Sequence, residues 1–243
     1  MITRNPSLTD QVKAHLKERI LGDGFVDGRI PPETELAADL GVSRTTVREA
    51  LSRLEHEGAI VRKQGAGTFV NGPGLQIKSR LEEIWSYEEV LRDHGYEPAV
   101  DVLSVETVPA DAALAADLAI DEGAPLVVIE KLFMGKHEPV VLTYNRIPAD
   151  YLEGFDADAD AGVPVYDLLE AHGSRKLGYY LSEIVPVKLS GATATALGVE
   201  RGTTAVSFEE VGFDGDNAPV VKATSYFRDD LLRFRLIRRR AGA

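Results

Sequence analysis

Between residues 31 and 70 the chain carries a succession of local signals that few folds can accommodate. Leu36, Ala37 and Leu40 put apolar side chains on one face of a short helix beginning near Pro32. A proline is favourable there because the first turn has no use for its missing N–H. Gly41 follows at once, where a helix end needs a residue that tolerates positive φ. Ser43 then stands as the N-cap of a second helix, its oxygen placed to accept an orphan backbone N–H. Val47, Ala50, Leu51 and Leu54 fall at i, i+3, i+4 and i+7, which predicts a buried stripe. Arg44, Thr45, Arg48 and Ser52 fall on the opposite side.

Past that helix, residues 59–63 and 68–70 read as two short strands around Gln64-Gly65-Ala66-Gly67, a hairpin tip whose glycines allow positive φ and close backbone approach. Helix, tight turn, second helix and glycine-tipped hairpin together predict a winged helix-turn-helix. Such a fold lays the start of its second helix against base edges in the major groove. Arginine suits guanine O6/N7 or a phosphate, while threonine hydroxyls and helix-start N–H groups suit phosphate. Arg62 and Lys63 sit beside the hairpin tip, where they could meet phosphates or the minor groove. A solvated amphipathic helix would account for the arginines alone, but not for the Gly-Val-Ser turn and the hairpin. The expected partner is double-stranded operator DNA.

The formal charge of −12 looks wrong for a DNA binder until it is divided along the chain. Residues 1–80 hold 12 Lys/Arg against 10 Asp/Glu, or +2; the remaining 15 against 29 give −14 for residues 81–243. DNA should repel the acidic part, which helps orient the molecule. With no cysteine there is neither a disulfide framework nor a thiolate metal site, consistent with a reducing cytoplasm. No apolar run approaches the length of a membrane span, and no charged-then-apolar leader opens the chain. The expectation is a cytoplasmic protein with no membrane partner. The turn-rich Asn71-Gly72-Pro73-Gly74 marks a flexible boundary. It divides a DNA-binding domain at 1–72 from a linker at 73–80 and a second domain at 81–243.

That second domain contains a duplication. Residues 106–152 and 183–232 each read as strand, short alanine-rich helix, Gly turn, then β-hairpin. Pro109 pairs with Pro186, Leu118 with Leu197, Gly123 with Gly202, and Glu130 with Glu209. The hairpin triplets starting at Pro139 and Pro219 also match, as do Asp150 and Asp230. One such unit cannot bury its apolar face alone, but two can share a sheet. The expected class is α+β, with a mainly antiparallel sheet and helices packed on it. A short helix capped by Ser86 precedes the first copy.

The first segment resembles the DNA-binding domain of the GntR family of bacterial transcription regulators. The resemblance rests on Gly41 to Leu51, Leu54, Gly58 and Gly65 to Val70, with a first helix at about 7–21. It implies DNA contacts from Ser43, Arg44, Thr45, Thr46, Arg48, Gln64, Gly65 and Gly67. One departure is Thr34, where the family often has arginine. The second segment resembles the effector-sensing (UTRA) domain of the HutC subgroup, which is related in fold to chorismate lyase. Its motifs are the first hairpin, the Tyr166-Asp167-Leu168-Leu169 helix and the Phe227-Arg228-Asp229-Asp230 turn. This resemblance implies a homodimeric, effector-controlled regulator acting as a repressor, with a small molecule held between the repeats and no cofactor.

Subgroup members that sense sugar phosphates tend to carry Glu-Arg-x-Arg on the first hairpin. Here Lys131 keeps the first cation and Phe133 replaces the second. Thr143 stands where a sugar-binding glutamate is expected, and Pro164 where a serine is. Phosphate is normally held by guanidinium forks and helix-start N–H groups. These losses predict a carboxylate or aromatic effector rather than a phosphosugar. Candidate effector residues are Ser86, Lys131, Phe133, Thr143, Asn145, Tyr226 and Arg228, with Arg146 beside them in matched loops of the two repeats. For Lys131 the alternative is a solvated strand residue, and for Phe133 it is ordinary core packing. A lyase-like enzyme and a metal-responsive regulator are the competing function classes. The five scattered histidines offer neither with a nucleophile–base pair or a ligand cluster, so neither catalytic nor metal-binding residues are expected.

Overall fold

Ser7 opens the first helix by accepting the Asp10 N–H at 3.2 Å, and α1 runs Leu8–Leu21 with Val12, Leu16 and Ile20 buried. The computed structural model describes residues 7–22, 24–75, 81, 83–173, 175–228, 231, 232 and 234. The chain forms two compact units, the first containing the described residues up to 75 and the second spanning Leu81–Phe234.

In the first unit a two-residue strand, β1 (Arg29–Ile30), precedes α2 (Glu33–Leu40) and α3 (Arg44–His56). A strand this short shows no alternation and leaves no trace in the sequence pattern. Gly41, at φ 64°, ends α2 in the left-handed conformation and lets the Val42 N–H return to the Ala37 carbonyl at 3.1 Å. The hairpin is β2 (Ile60–Lys63) and β3 (Gly67–Val70), and β3 lies between β1 and β2, antiparallel to both. The α3 stripe closes the core against α1, α2 and Ile60, with Leu40 only partly buried.

Residues 71–75 differ from the flexible joint expected there. Gly72–Leu75 form a helical turn, α4, and Gly74 is buried on the Gly58 carbonyl. A Cβ on Gly74 would stand 1.9 Å from that oxygen, which also accepts the Asn71 amide at 2.8 Å. The glycine thus serves close backbone approach, and the linker anticipated at 73–80 starts as part of the first unit. Residues 76–80 lie outside the described residues.

The second unit begins with α5 (Tyr87–Asp93), closed by a capping box in which Ser86 Oγ accepts the Glu89 N–H at 3.1 Å. The elements β4 (Pro98–Pro109), α6 (Ala112–Leu118), β5 (Pro125–Gly135) and β6 (Glu138–Pro148) form the first repeat. The short α7 (Ala157–Asp160) and α8 (Val165–His172) connect it to the second. That repeat is β7 (Tyr179–Lys188), α9 (Gly191–Ala196), β8 (Thr204–Phe213) and β9 (Pro219–Phe227). The six strands lie in the order β4-β5-β6-β9-β8-β7, every neighbour antiparallel, so the two copies meet at β6 and β9.

The duplication holds in detail, with one correction. The Ala110 N–H binds the Ala124 carbonyl and the Gly123 N–H binds the Ala110 carbonyl, both at 2.8 Å. Leu189 makes the same pair of bonds with Thr203 and Gly202 at 2.9 and 3.0 Å. Asp111 and Ser190 then cap α6 and α9, and Gly123 and Gly202 share φ near 85° (85° and 84°). Ala110 therefore matches Leu189, and Pro109 matches Lys188 rather than Pro186. The expected Asp150–Asp230 match cannot be placed, because Asp230 lies outside the described residues.

Strand alternation sorts the sheet into two faces. On one, Val127 and Ile129 pack under Leu168 and Leu169 of α8, and Phe133, Phe208 and Phe227 pack against Val90 and Leu91 of α5. On the other, Leu132, Leu142 and Ala205 cover Ala194 and Leu197 at α9, while Ala115 and Leu118 of α6 cover Leu126. Helices thus cover both faces of a shared antiparallel sheet.

Candidate DNA-reading surface and effector cavity

The start of α3 separates residues that hold the helix from residues that face outward. Ser43 Oγ accepts the Thr46 N–H at 3.1 Å and lies 2.8 Å from Thr46 Oγ1, so these two hydroxyls build the cap. Arg44, Thr45 and Arg48 are exposed. Arg48 is held by Glu33 of α2, with Nε and Nη2 donating to Oε2 at 3.0 and 2.9 Å. The hydrogen bond from Arg48 keeps the Glu33 carboxyl below its usual range. Glu33 is absent from the sequence expectation because nothing local shows that α2 and α3 bring it to Arg48.

At the hairpin, Gln64-Gly65-Ala66-Gly67 forms the expected turn, closed by the Ala66 N–H on the Lys63 carbonyl at 3.0 Å. Gly65 and Gly67 adopt φ of 74° and 118°. The neighbouring cations lean back on the protein: Arg62 pairs with Glu55 at 3.3 Å, and the Lys63 ammonium lies 4.9 Å from the Phe69 ring centre. Arg29, exposed on β1, reaches the Ala66 carbonyl from the side at 3.4 Å and adds a cation at the wing that the sequence pattern did not single out. Thr34 is exposed at the start of α2.

In the second unit a cavity of about 450 Å³ opens on the face that carries α5 and α8. Five expected residues line it: Ser86, Lys131, Phe133, Thr143 and Asn145. Lys131 is not a solvated strand residue. It is only 2% exposed, its Nζ donates to the Val163 carbonyl at 2.6 Å, and burial pulls its ammonium down to about 8. Phe133 is both wall and core, set edge-on to Tyr87 at 5.0 Å between ring centres. Asn145 is buried, and among the described residues its amide makes only a 3.5 Å contact with the Thr143 hydroxyl. Pro164 stands at the N-cap of α8 with no side-chain cap.

Two expected effector residues, Tyr226 and Arg228, do not line the cavity. Tyr226 lies in strand β9 rather than a loop, and alternation turns it to the opposite face, where its ring meets Tyr144 edge-on at 6.3 Å. Arg228 follows β9 and donates to the Pro139 carbonyl at 3.2 Å. Arg146, beside Thr224 at 3.4 Å, also lies away from the cavity. In their place the cavity gains Tyr87, Tyr180, Ser182, Phe208 and Glu210. The Tyr87 hydroxyl shares a 2.6 Å hydrogen bond with Ser225, and burial raises its phenol well above the usual value. Burial likewise raises the Glu210 carboxyl, which accepts a hydrogen bond from Ser182.

The UTRA domain model matches residues 93–233, and the model for bacterial regulatory proteins of the gntR family matches residues 8–70. The chain belongs to the gntR family and carries a UTRA domain. The HTH-type transcriptional repressor NagR of Bacillus subtilis is 26% identical over 227 residues, covering 93% of this chain and 91% of NagR. The HTH-type transcriptional regulator YurK of the same organism is 33% identical over 142 residues, or 58% of each chain. The crystal structure of PhnF from Mycobacterium smegmatis aligns over 94% of this chain and 99% of its own, at 26% identity and a TM-score of 0.61. This gntR protein is therefore a DNA-binding transcription regulator with a ligand-sensing domain, not a lyase-like enzyme. Among the described residues no group of three His, Cys, Asp or Glu is placed to hold a metal ion.

Proposed function

We propose that this gntR protein is a repressor that binds operator DNA as a homodimer and is controlled by a non-phosphosugar effector in the UTRA cavity. Residues 1–72 read DNA, and residues 81–243 bind effector and dimerise. Arg44, Thr45 and Arg48 meet bases or phosphates from α3, with Ser43 and Thr46 presenting the helix start. Gln64, Gly65 and Gly67 bring the wing backbone close to the duplex, with Arg29 beside them. The likeness to NagR, named a repressor, supports the direction of control. Among the described residues no helix is long and apolar enough to cross a membrane, and the reading places the regulator in the cytoplasm beside the chromosome.

The observation that carries the effector reading is the cavity itself. It holds one buried ammonium, Lys131, where phosphosugar sensors carry a pair of guanidinium groups, and much of its wall is aromatic. A carboxylate or aromatic compound fits that wall better than a phosphorylated sugar. The test is to select duplexes with the purified chain and to titrate the winner with small acids, sugars and sugar phosphates. The reading expects a steep loss of operator affinity with salt, through counterion release, and release by an acid or aromatic compound. Release by a sugar phosphate alone would contradict it.

A further inference from the structure

The cavity carries ionisable groups of both kinds, an amine and a carboxyl, held apart by the sheet. Lys131 rises from β5 and Glu210 from β8, with β6 and β9 between them. Register sets Lys131 opposite Thr143 and then Ser225, while Glu210 faces Ala223 and then Asn145. Three strand spacings of about 4.8 Å separate the two backbones by about 14 Å, so the head groups do not pair. Each has its own local partner instead, the Val163 carbonyl for Lys131 and the Ser182 hydroxyl for Glu210. Between them the buried Asn145 amide retains donors that its 3.5 Å contact with Thr143 does not use. Tyr87, Phe133, Tyr180 and Phe208 supply ring surfaces around this row.

The charge balance argues further against a dianionic ligand. Glu83 and Glu88 line the same cavity, so among the described residues three carboxylates face a single ammonium and no arginine lines the wall. We infer that the effector is an amphoteric, ring-bearing small molecule whose anionic group seats on Lys131 and whose cationic group seats on Glu210. This rests on the effector reading above and names the ligand class for the same cavity. Its volume of about 450 Å³ suits one ring with two short polar arms. Burial disfavours the charge of each anchor, raising the Glu210 carboxyl and lowering the Lys131 ammonium to about 8. A ligand charge of opposite sign relieves both at once.

The test uses the full chain and four probes: para-aminomethylbenzoate, which carries both groups; para-toluate, acid only; para-methylbenzylamine, amine only; and glucose 6-phosphate. Calorimetric titration measures each affinity, and anisotropy of a selected operator duplex measures release. The amphoteric probe is expected to bind about ten-fold or more tightly than either singly charged analogue, the scale of one charge-assisted hydrogen bond. Glu210→Gln should erase its advantage over the acid, and Lys131→Met its advantage over the amine; the wild-type ranking alone suffices if a variant folds poorly. Equal binding of acid and amphoteric probes, tighter binding of glucose 6-phosphate, or no binding by any probe would overturn the inference. If para-toluate binds as tightly as the amphoteric probe and releases the operator, the effector reading survives and the charge assignment fails; if glucose 6-phosphate alone releases it, both fail. If the amphoteric probe binds as expected yet leaves operator affinity unchanged, the charge assignment survives and the effector reading fails.

Discussion

Replacing Lys131 by methionine should make the UTRA domain more stable at neutral pH, although it removes a polar contact. The side chain is 2% exposed, and burial moves its ammonium from 10.5 to about 8. At roughly 1.4 kcal/mol per pKa unit that displacement costs the charged form about 3 kcal/mol. Losing the bond to the Val163 carbonyl returns about 1 kcal/mol, and methionine keeps most of the aliphatic volume, so about 2 kcal/mol of stabilisation remains. For a domain of this size each kcal/mol moves Tm by about 2–4 °C, so Lys131→Met should melt about 4–8 °C higher at pH 7. The sign with pH follows from linkage. The folded pKa lies below the unfolded one, so the unfolded state binds more protons between about pH 8 and 10.5. The penalty is fully present below pH 8 and fades as pH rises through that window. Melts recorded at pH 6.5 and pH 9.5 should therefore show the variant's advantage shrinking at the higher pH. A variant less stable than wild type at pH 6.5, or an advantage that ignores pH, would refute the reasoning. A lysine retained against its own stability cost is what a ligand anchor requires.

Further expectations concern both units. Arg48→Ala should weaken operator binding about ten-fold or more. Glu33→Gln, which frees the Arg48 guanidinium, should strengthen it about two- to five-fold at low salt, and anisotropy titrations check both. Gly74→Ala forces a Cβ against the Gly58 carbonyl and should cost the DNA-binding unit about 1–3 kcal/mol, seen as a lower first transition in a thermal melt. Tyr87→Phe leaves the buried Ser225 hydroxyl without its partner and should cost the UTRA domain about 1–3 kcal/mol by denaturant titration. A fragment of residues 1–80 should fold, keeping α4 on Gly58, and bind operator weakly as a monomer; tight dimerisation measured by sedimentation would contradict the assignment of dimerisation to residues 81–243.

What could be read in advance depended on whether the signal was local. Ser43, Gly41 and the Val47–Leu54 stripe act within a few residues of themselves, so the sequence predicts α2, the turn and α3 closely. The wing was legible for the same reason, since its glycines mark a turn that needs positive φ. Glu33 and Arg29 became visible only in three dimensions, because each reaches its partner across elements, Arg48 in one case and the Ala66 carbonyl in the other. In the UTRA domain Lys131, Phe133 and Thr143 were found because the resemblance to the HutC subgroup implies ligand contacts at those positions, and Asn145 because the two repeats match. Tyr226 was misplaced because a strand was taken for a loop, which loses the parity that sends Ala223 to the cavity and Tyr226 away from it, and Arg228 because beyond the strand it turns to the Pro139 carbonyl. Tyr180, Ser182 and Glu210 were missed for a different reason. They join the site through the pairing of β6 with β9, a contact between repeats whose register no single segment contains. Even a duplication plain enough to match Gly123 with Gly202 left Pro109 two residues out of step, until the backbone bonds of Ala110 and Leu189 fixed the frame.

The most direct test of a two-part switch is reciprocity. The affinity of a cavity ligand should be measured by calorimetry on the free chain and again with operator duplex at saturation. If ligand in the UTRA cavity lowers operator affinity, saturating operator must weaken the ligand by the same factor, about 5- to 150-fold for a typical coupling of this kind. Ligand affinity that stays the same with and without operator would contradict the account.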